Sequence, residues 1–275
     1  MKRLFYLLII AGLFASCGGN ESDQDAANNK PLDQSQALIS QFKPIVSGVW
    51  VKKNYIKKLI KSKSPLAAAD RATGLTTMLI DTAKLKGDSI IVAAGWNNHE
   101  GSNLTLRFQP GKNTTTIELG DDELSYKIKN GDTTLVVYHY DEKTKETSTT
   151  NYIKALNTQP ANNLGYGMSY MINKGIISGI YQATDNTGKK FNAVFYDNGK
   201  VSGFPDFNTY YVENDLGNGP MSNLDELIFE LNGKNQKSYA FIINKRKLDL
   251  YTTKANADSS ELLLDKVAFK LVKKD

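Results

Sequence analysis

The sequence predicts an all-β protein built from antiparallel β-barrel, read as two tandem modules with a short capping helix. Three observations carry this. Apolar and polar residues alternate with a period of two through most of the chain after Gly74. The candidate strands are joined by short polar turns, with no spacing that fits a strand–helix–strand crossover. The strands also fall into two groups of about eight, separated by a break at 157–178.

The chain opens with a different kind of segment. Lys2 and Arg3 precede an apolar run, Leu4 to Phe14, and small residues Ala15-Ser16 lead to Cys17, the one cysteine among 275 residues. Eleven helical residues reach only ~17 Å, short of a ~30 Å hydrocarbon core. Residues 1–16 therefore read as a signal peptide. Leu13-Phe14-Ala15-Ser16-Cys17 resembles the lipobox of bacterial lipoproteins. The resemblance implies a diacylglyceryl thioether and an acylated N-terminus on Cys17. Glycine rather than aspartate at position 18 implies, by the same resemblance, delivery to the outer membrane. The anchored protein would face the periplasm or the cell surface.

With residues 1–16 removed, 259 residues remain and the formal charge falls from +5 to +3, because Lys2 and Arg3 leave with the signal. So small an excess gives no argument for nucleic acid. An acylated Cys17 leaves no thiol for a disulfide, and the core alone must stabilise the fold.

Residues 17–44 read as a lipidated tether followed by a short helix. Gly18 to Lys30 carries no apolar residue larger than alanine and reads as solvated chain. Leu32, Leu38, Ile39 and Phe42 are partly helix-spaced. The first module, 45–157, begins with Gly48-Val49-Trp50. In Lys52 to Lys63, Tyr55, Ile56, Leu59 and Ile60 share one helix face and six lysines surround it, until Ser64-Pro65 ends the run. A basic amphipathic helix of this kind could lie on an anionic membrane. With no exposed aromatic anchor, a helix capping a barrel end is the favoured reading.

Strands follow at Leu75 to Asp81, Ser89 to Trp96, Leu104 to Phe108, Ile117 to Leu119, Tyr126 to Lys129, Leu135 to Tyr140 and Thr149 to Leu156. Asn130-Gly131 marks a hairpin turn. After the break, where Gly165, Gly167 and Gly175 weaken any helix, the second module, 158–275, repeats the pattern. Its strands are Ile180 to Ala183, Phe191 to Tyr196, Lys200 to Phe204, Phe207 to Val212, Leu227 to Leu231, Ser238 to Ile243, Leu248 to Tyr251 and Val267 to Leu271.

The halves are weakly self-similar. Ser125-Tyr126 and Leu135-Val136-Val137-Tyr138 match Ser238-Tyr239 and Leu248-Asp249-Leu250-Tyr251 at an offset of 113 residues, and Gly48-Val49-Trp50 matches Gly179-Ile180-Tyr181. Gly-x-Trp on a first strand, followed by eight short antiparallel strands, resembles the lipocalin-like (calycin) domains of bacterial lipoproteins. In that family the first-strand tryptophan packs across the closed end of the barrel, a role that would fall to Trp50, with Tyr181 in its place in the second half. The family's Thr-Asp-Tyr motif is absent, as is an arginine from the last strand to cover the tryptophan. Eight strands close without an exposed edge around side chains or one small ligand. One merged barrel or two are both compatible with the pattern.

Nothing in the chain points to catalysis. His99 lies in the polar turn Asn97 to Gly101 and His139 lies on a strand. No His, Cys and carboxylate cluster has metal-ligand spacing, and no Gly-x-Ser-x-Gly elbow occurs. The expectation is a non-enzyme with no catalytic residue, no metal and no cofactor. Its partners would be the membrane, through the lipid, and a small apolar or amphipathic ligand held in a barrel, with the mouth near Tyr55. Candidate ligand residues are Trp50, Tyr55, Trp96, Phe204 and Phe207. Gly203-Phe204-Pro205-Asp206-Phe207 is the best candidate for an exposed aromatic loop. The alternative is an interaction module with filled barrels that meets protein or glycan through its loops.

Overall fold

The computed structural model describes residues 30–113, 115–160, 162–215 and 220–274. Cys17, the signal segment and most of the tether lie outside the described residues. The first eight strands are β1 (Gly48–Lys52), β2 (Leu75–Ile80), β3 (Ser89–Trp96), β4 (Glu100–Pro110), β5 (Ile117–Leu119), β6 (Asp122–Lys129), β7 (Asp132–Asp141) and β8 (Glu146–Leu156). They pair antiparallel in chain order, and β8 returns to β1 to close a barrel. Closure leaves no unpaired edge to template aggregation. At the β6–β7 turn Asn130 and Gly131 both have positive φ, 53° and 82°. That is the twist a two-residue hairpin needs.

The barrel interior is filled by alternate residues of these strands, among them Trp50, Met78, Val92, Phe108, Leu135 and Tyr152. Helix α1 (Lys30–Val46) adds Leu38, Phe42 and Val46 to the same cluster. Phe42 meets Tyr126 edge-on at 5.3 Å, and the Ser35 hydroxyl donates to the Phe108 carbonyl at 3.0 Å. The helix foreseen in this stretch is thus present, longer than its apolar spacing suggested, and packed as part of the barrel core.

Helix α2 (Lys53–Ser62) buries Tyr55, Ile56 and Leu59 completely, and helix α3 (Pro65–Ala68) follows it. Most of the apolar face of α2 therefore meets protein, with Ile60 left partly exposed. Lys58 pairs with Asp70, and the Lys63 ammonium donates to the Gly175 carbonyl at 3.2 Å.

Through the break, a helix forms where glycines argued against it: α4 (Tyr166–Ile172), continued by a π turn at Asn173–Ile177. Gly167 is there for contact. A Cβ at this buried position would run into the Val49 side chain of β1. Glycine allows the close approach, and the packing outweighs its poor helix propensity.

The second sheet contains β9 (Gly179–Asp185), β10 (Lys190–Phe195), β11 (Val201–Ser202), β12 (Tyr210–Val212), β13 (Glu226–Phe229), β14 (Lys237–Asn244), β15 (Lys247–Ala255) and β16 (Leu262–Lys273). Their order is β11-β10-β9-β16-β15-β14-β13-β12. Its first and last strands pair, as β1 and β8 do. The end strands β11 and β12 are linked by one bridge between Lys200 and Thr209. There Val201 N–H donates to the Asn208 carbonyl at 2.8 Å and Tyr210 N–H to the Gly199 carbonyl at 2.7 Å.

The two halves share a local device. Trp50 Nε1–H donates to the Val46 carbonyl at 2.7 Å, and the Tyr181 hydroxyl donates to the Ile177 carbonyl at 2.5 Å, four residues back in each case. A lysine of the last strand covers each ring: Lys154 Nζ lies 4.9 Å from the Trp50 ring and Lys273 Nζ 5.9 Å from that of Tyr181. Burial pushes both ammonium groups below the usual lysine range. Gly48 and Gly179 have φ of 125° and 148°; a Cβ on Gly48 would strike the Leu156 carbonyl oxygen, and one on Gly179 would run into the Lys273 side chain. The hairpins β6–β7 and β14–β15 also correspond, but not in the register of the 113-residue sequence match. Their turns, Asn130-Gly131 and Lys245-Arg246, stand two residues further apart. A shift of two keeps every side chain on its face.

A second apolar cluster runs from β1 and α2 into the second sheet. Val51, Tyr55, Ile56 and Leu59 pack in it with Ile172, Ile177, Tyr181, Phe195, Phe229, Leu250 and Leu271. The stretch from Gly203 to Phe207 corrects the expectation of an exposed aromatic loop. Phe204 is buried against Phe191, Phe195, Phe229 and Phe269, with ring centroids 5.1–5.6 Å apart. Phe207 stacks on Phe229 at 4.3 Å. The sheet is short of cover between β11 and β12, and these rings supply it.

Candidate functional site

A cleft of about 600 Å³ opens where the two halves meet. Four segments far apart in the chain, together with Leu231 just after β13, build it. Thr76, Thr77 and Gly95 come from β2 and β3, and Asn98, His99, Glu100 and Gly101 from the turn into β4. Asn163 to Tyr166, Met168, Ser169, Tyr170 and Asn173 come from the connecting segment, α4 and the turn after it. Asp197, Asn198 and Gly199 come from the β10–β11 turn, and Thr209 to Tyr211 with Asn214 from β12 and its exit.

The β3–β4 turn is shaped for this position. Asn97 and Asn98 both have positive φ, 52° and 65°, which asparagine tolerates better than most residues. Asn98 N–H donates to Thr76 Oγ1 at 3.3 Å, and its Nδ2 donates across to the Asn214 carbonyl at 3.1 Å. Asn214, itself buried, donates to the Tyr211 hydroxyl at 2.9 Å. His99 completes the crossing: its Nε2 lies 3.1 Å from Glu100 and its Nδ1 3.0 Å from Asp215. Each ring nitrogen already has a carboxylate partner, so His99 offers the cleft no free nitrogen. Because the carboxylates sit on opposite sides of the ring, they do not converge on a common point. Among the described residues no three His, Cys, Asp or Glu side chains are placed to hold a metal ion.

Polar groups at and below the cleft wall are incompletely paired. Asn173 is buried, and its Nδ2 donates to the Asp197 carbonyl at 3.2 Å. Its Oδ1 has no partner, nor has Asn98 Oδ1. The Tyr55 hydroxyl, behind the wall, is also unpartnered. Burial, with the nearby Tyr211 next in weight, pushes its phenol well above the usual tyrosine range. Burial does the same to Tyr210 and Tyr211. Tyr166 and Tyr170 stand one helical turn apart on α4, both half-buried, so their rings share one face. Burial and then the Asp197 carboxylate raise the Tyr170 phenol. Tyr55, Tyr170, Tyr210 and Tyr211 therefore stay neutral hydroxyls at physiological pH.

None of the five ligand candidates from the sequence lines this cleft. Trp50 is inside the barrel and Tyr55 inside the second cluster, both fully buried. Trp96 is half-buried on β3, its Nε1–H donating to Ser102 Oγ at 2.7 Å. Phe204 is buried in the second cluster and the half-buried Phe207 packs against it. His139 sits on the barrel's surface beside Asp122, 2.6 Å away. The aromatic crowding between 166 and 211 was the one sequence signal that touched the cleft, through Tyr166, Tyr170, Tyr210 and Tyr211.

No family model, curated protein or solved structure matches this chain. The site therefore stands on its own geometry.

Proposed function

We propose that this chain is a lipid-anchored outer-membrane lipoprotein, non-catalytic, made of two tandem lipocalin-like halves that take their ligand in the cleft between them. One observation carries the reading: the first barrel's interior is filled by the chain's own side chains, α1 included, while the large opening lies between the halves. The alternative of an apolar ligand inside a barrel has less support, since Phe42, Trp50 and Phe108 occupy that space. The calycin resemblance is supported by the Gly-x-aromatic start of β1 and β9 and by the lysine over each ring, which does the work of the family's arginine. A binding role is favoured over catalysis because the one histidine at the cleft has both nitrogens engaged.

Native mass spectrometry of protein extracted from its own membrane tests where ligand sits. The wild type should carry an added small mass, and Ser169→Trp, which puts an indole into the cleft, should lose it with unchanged melting. An apolar adduct that survives Ser169→Trp overturns the cleft reading in favour of the barrel.

The anchor has its own test. Cys17→Ser should lose palmitate labelling and move the protein from the membrane fraction to the soluble one. A single acyl chain binds membranes only marginally, whereas two or more hold firmly, so the shift should be nearly complete. Full membrane retention of the variant would remove the anchor assignment.

A further inference from the structure

We propose that the cleft between the halves binds an uncharged oligosaccharide. The inference rests on the cleft reading above and adds the ligand's chemical class. Among the described residues no lysine or arginine lines the cleft, so a phosphate or carboxylate would enter without a counter-charge and lose its hydration. The wall is mixed: Leu164, Met168 and Leu231 offer apolar surface, but Thr, Asn, Ser and Tyr groups lie among them and would lose water to a purely apolar ligand with no hydrogen bond in return.

A sugar answers both problems. Its hydroxyls donate and accept, and the wall offers amide oxygens that lack a donor. Asn173 Oδ1 is buried and unpartnered, whereas the Asn98 amide stands beside the Tyr55 hydroxyl behind the wall. Both amide oxygens lie beneath the water-accessible surface of the cleft, so a ligand hydroxyl reaches them only when the wall shifts slightly. The apolar C–H face of a sugar ring needs a flat partner, and Tyr166 and Tyr170 supply two adjacent rings. Lys174 Nζ lies 5.8 Å from the Tyr170 ring, so Tyr166 is the ring whose replacement disturbs the fewest other contacts. A cleft of this size accepts a ligand larger than one ring. An amine is the other chemistry that carboxylates invite. Here Glu100 is held by His99, and Asp197 faces the Tyr170 hydroxyl.

The test is saturation-transfer NMR and calorimetry on the full mature chain. The probes are maltotriose, cellotriose, mannotriose and chitotriose, with spermidine and dodecanoate as charged and apolar comparators. At least one trisaccharide should bind with a Kd below about 1 mM, with saturation passing to tyrosine ring protons. Tyr166→Ala should weaken it at least about tenfold, while melting stays within that of the wild type. Tyr166→Phe, which keeps the ring, should bind within about twofold. Asn173→Asp, which loses the Nδ2 donor to Asp197, is the second variant and should also weaken binding. If it unfolds, the Tyr166 pair still decides. Failure of all four trisaccharides to saturate by about 10 mM overturns the saccharide class. Binding of spermidine or dodecanoate that Ser169→Trp abolishes also overturns it, but leaves the cleft as the binding site. Silence of every probe, together with a membrane-derived adduct that Ser169→Trp retains, fails both readings.

Discussion

Trp50→Ala should destabilise the protein by about 3–5 kcal/mol, the range for deleting a fully buried large aromatic. The ring is wholly inaccessible and packs in the barrel cluster with Phe42, Met78 and Tyr152. Its removal does more than open a cavity. The Val46 carbonyl loses the donor that closes α1 onto β1, and the half-buried Lys154 ammonium loses the ring that faces it. Trp50→Phe separates these effects. It keeps an aromatic over which Lys154 can sit but removes the N–H together with part of the buried ring, so it should cost about 2–3 kcal/mol, still less than the alanine variant. Urea titration reads both: the midpoint should fall while the slope is unchanged, since the surface exposed on unfolding stays the same. Trp96→Ala is the internal comparison, a half-buried indole bonded to Ser102, and should cost less than half as much. A Trp50→Ala variant within about 1 kcal/mol of wild type would mean that the first-strand aromatic does not hold the barrel end.

These contrasts bear on what could be read from the chain alone. Strand positions were legible because each strand buries one face, which imposes a two-residue period on the sequence. Asn130-Gly131 was legible because few residues accept two positive φ values in succession. The glycines of α4 misled, because helix propensity is local whereas the need at Gly167 is set by Val49, more than a hundred residues away. The Gly203–Phe207 loop misled for a related reason. Its polar and proline residues suggested solvent, but the gap between β11 and β12 draws its rings inward. The covering lysines escaped notice because the calycin comparison looked for arginine. The cleft was the least legible feature. Its polar groups meet only when the turn after β3 touches the exit of β12, through Asn98 to Asn214 and His99 to Asp215. No spacing in the sequence records such a meeting.

Gly203→Ala is the second large effect, and it asks whether the aromatic plug is held by backbone geometry. Gly203 has φ of 86°, and a Cβ there would strike the Asn192 carbonyl oxygen and approach its carbonyl carbon to 3.0 Å. Both atoms are backbone of β10, so no side chain can swing aside. Gly188→Ala is the control. Its φ is nearly the same, 87°, but nothing lies within 4 Å of the new methyl. The control should cost about 1–2 kcal/mol, the penalty of a left-handed conformation with a Cβ. Gly203→Ala should cost about 3 kcal/mol or more, because β10 or the loop must move as well. The loop is the part that can yield, and it carries Phe204 out from between Phe195, Phe229 and Phe269. The near-ultraviolet circular dichroism from packed rings should therefore fall in Gly203→Ala and stay constant in Gly188→Ala. Equal destabilisation of the two variants, with equal aromatic signals, would mean that the crossing over β10 is not what seats Phe204. The inward aromatic loop would then have to be explained by the rings' own packing.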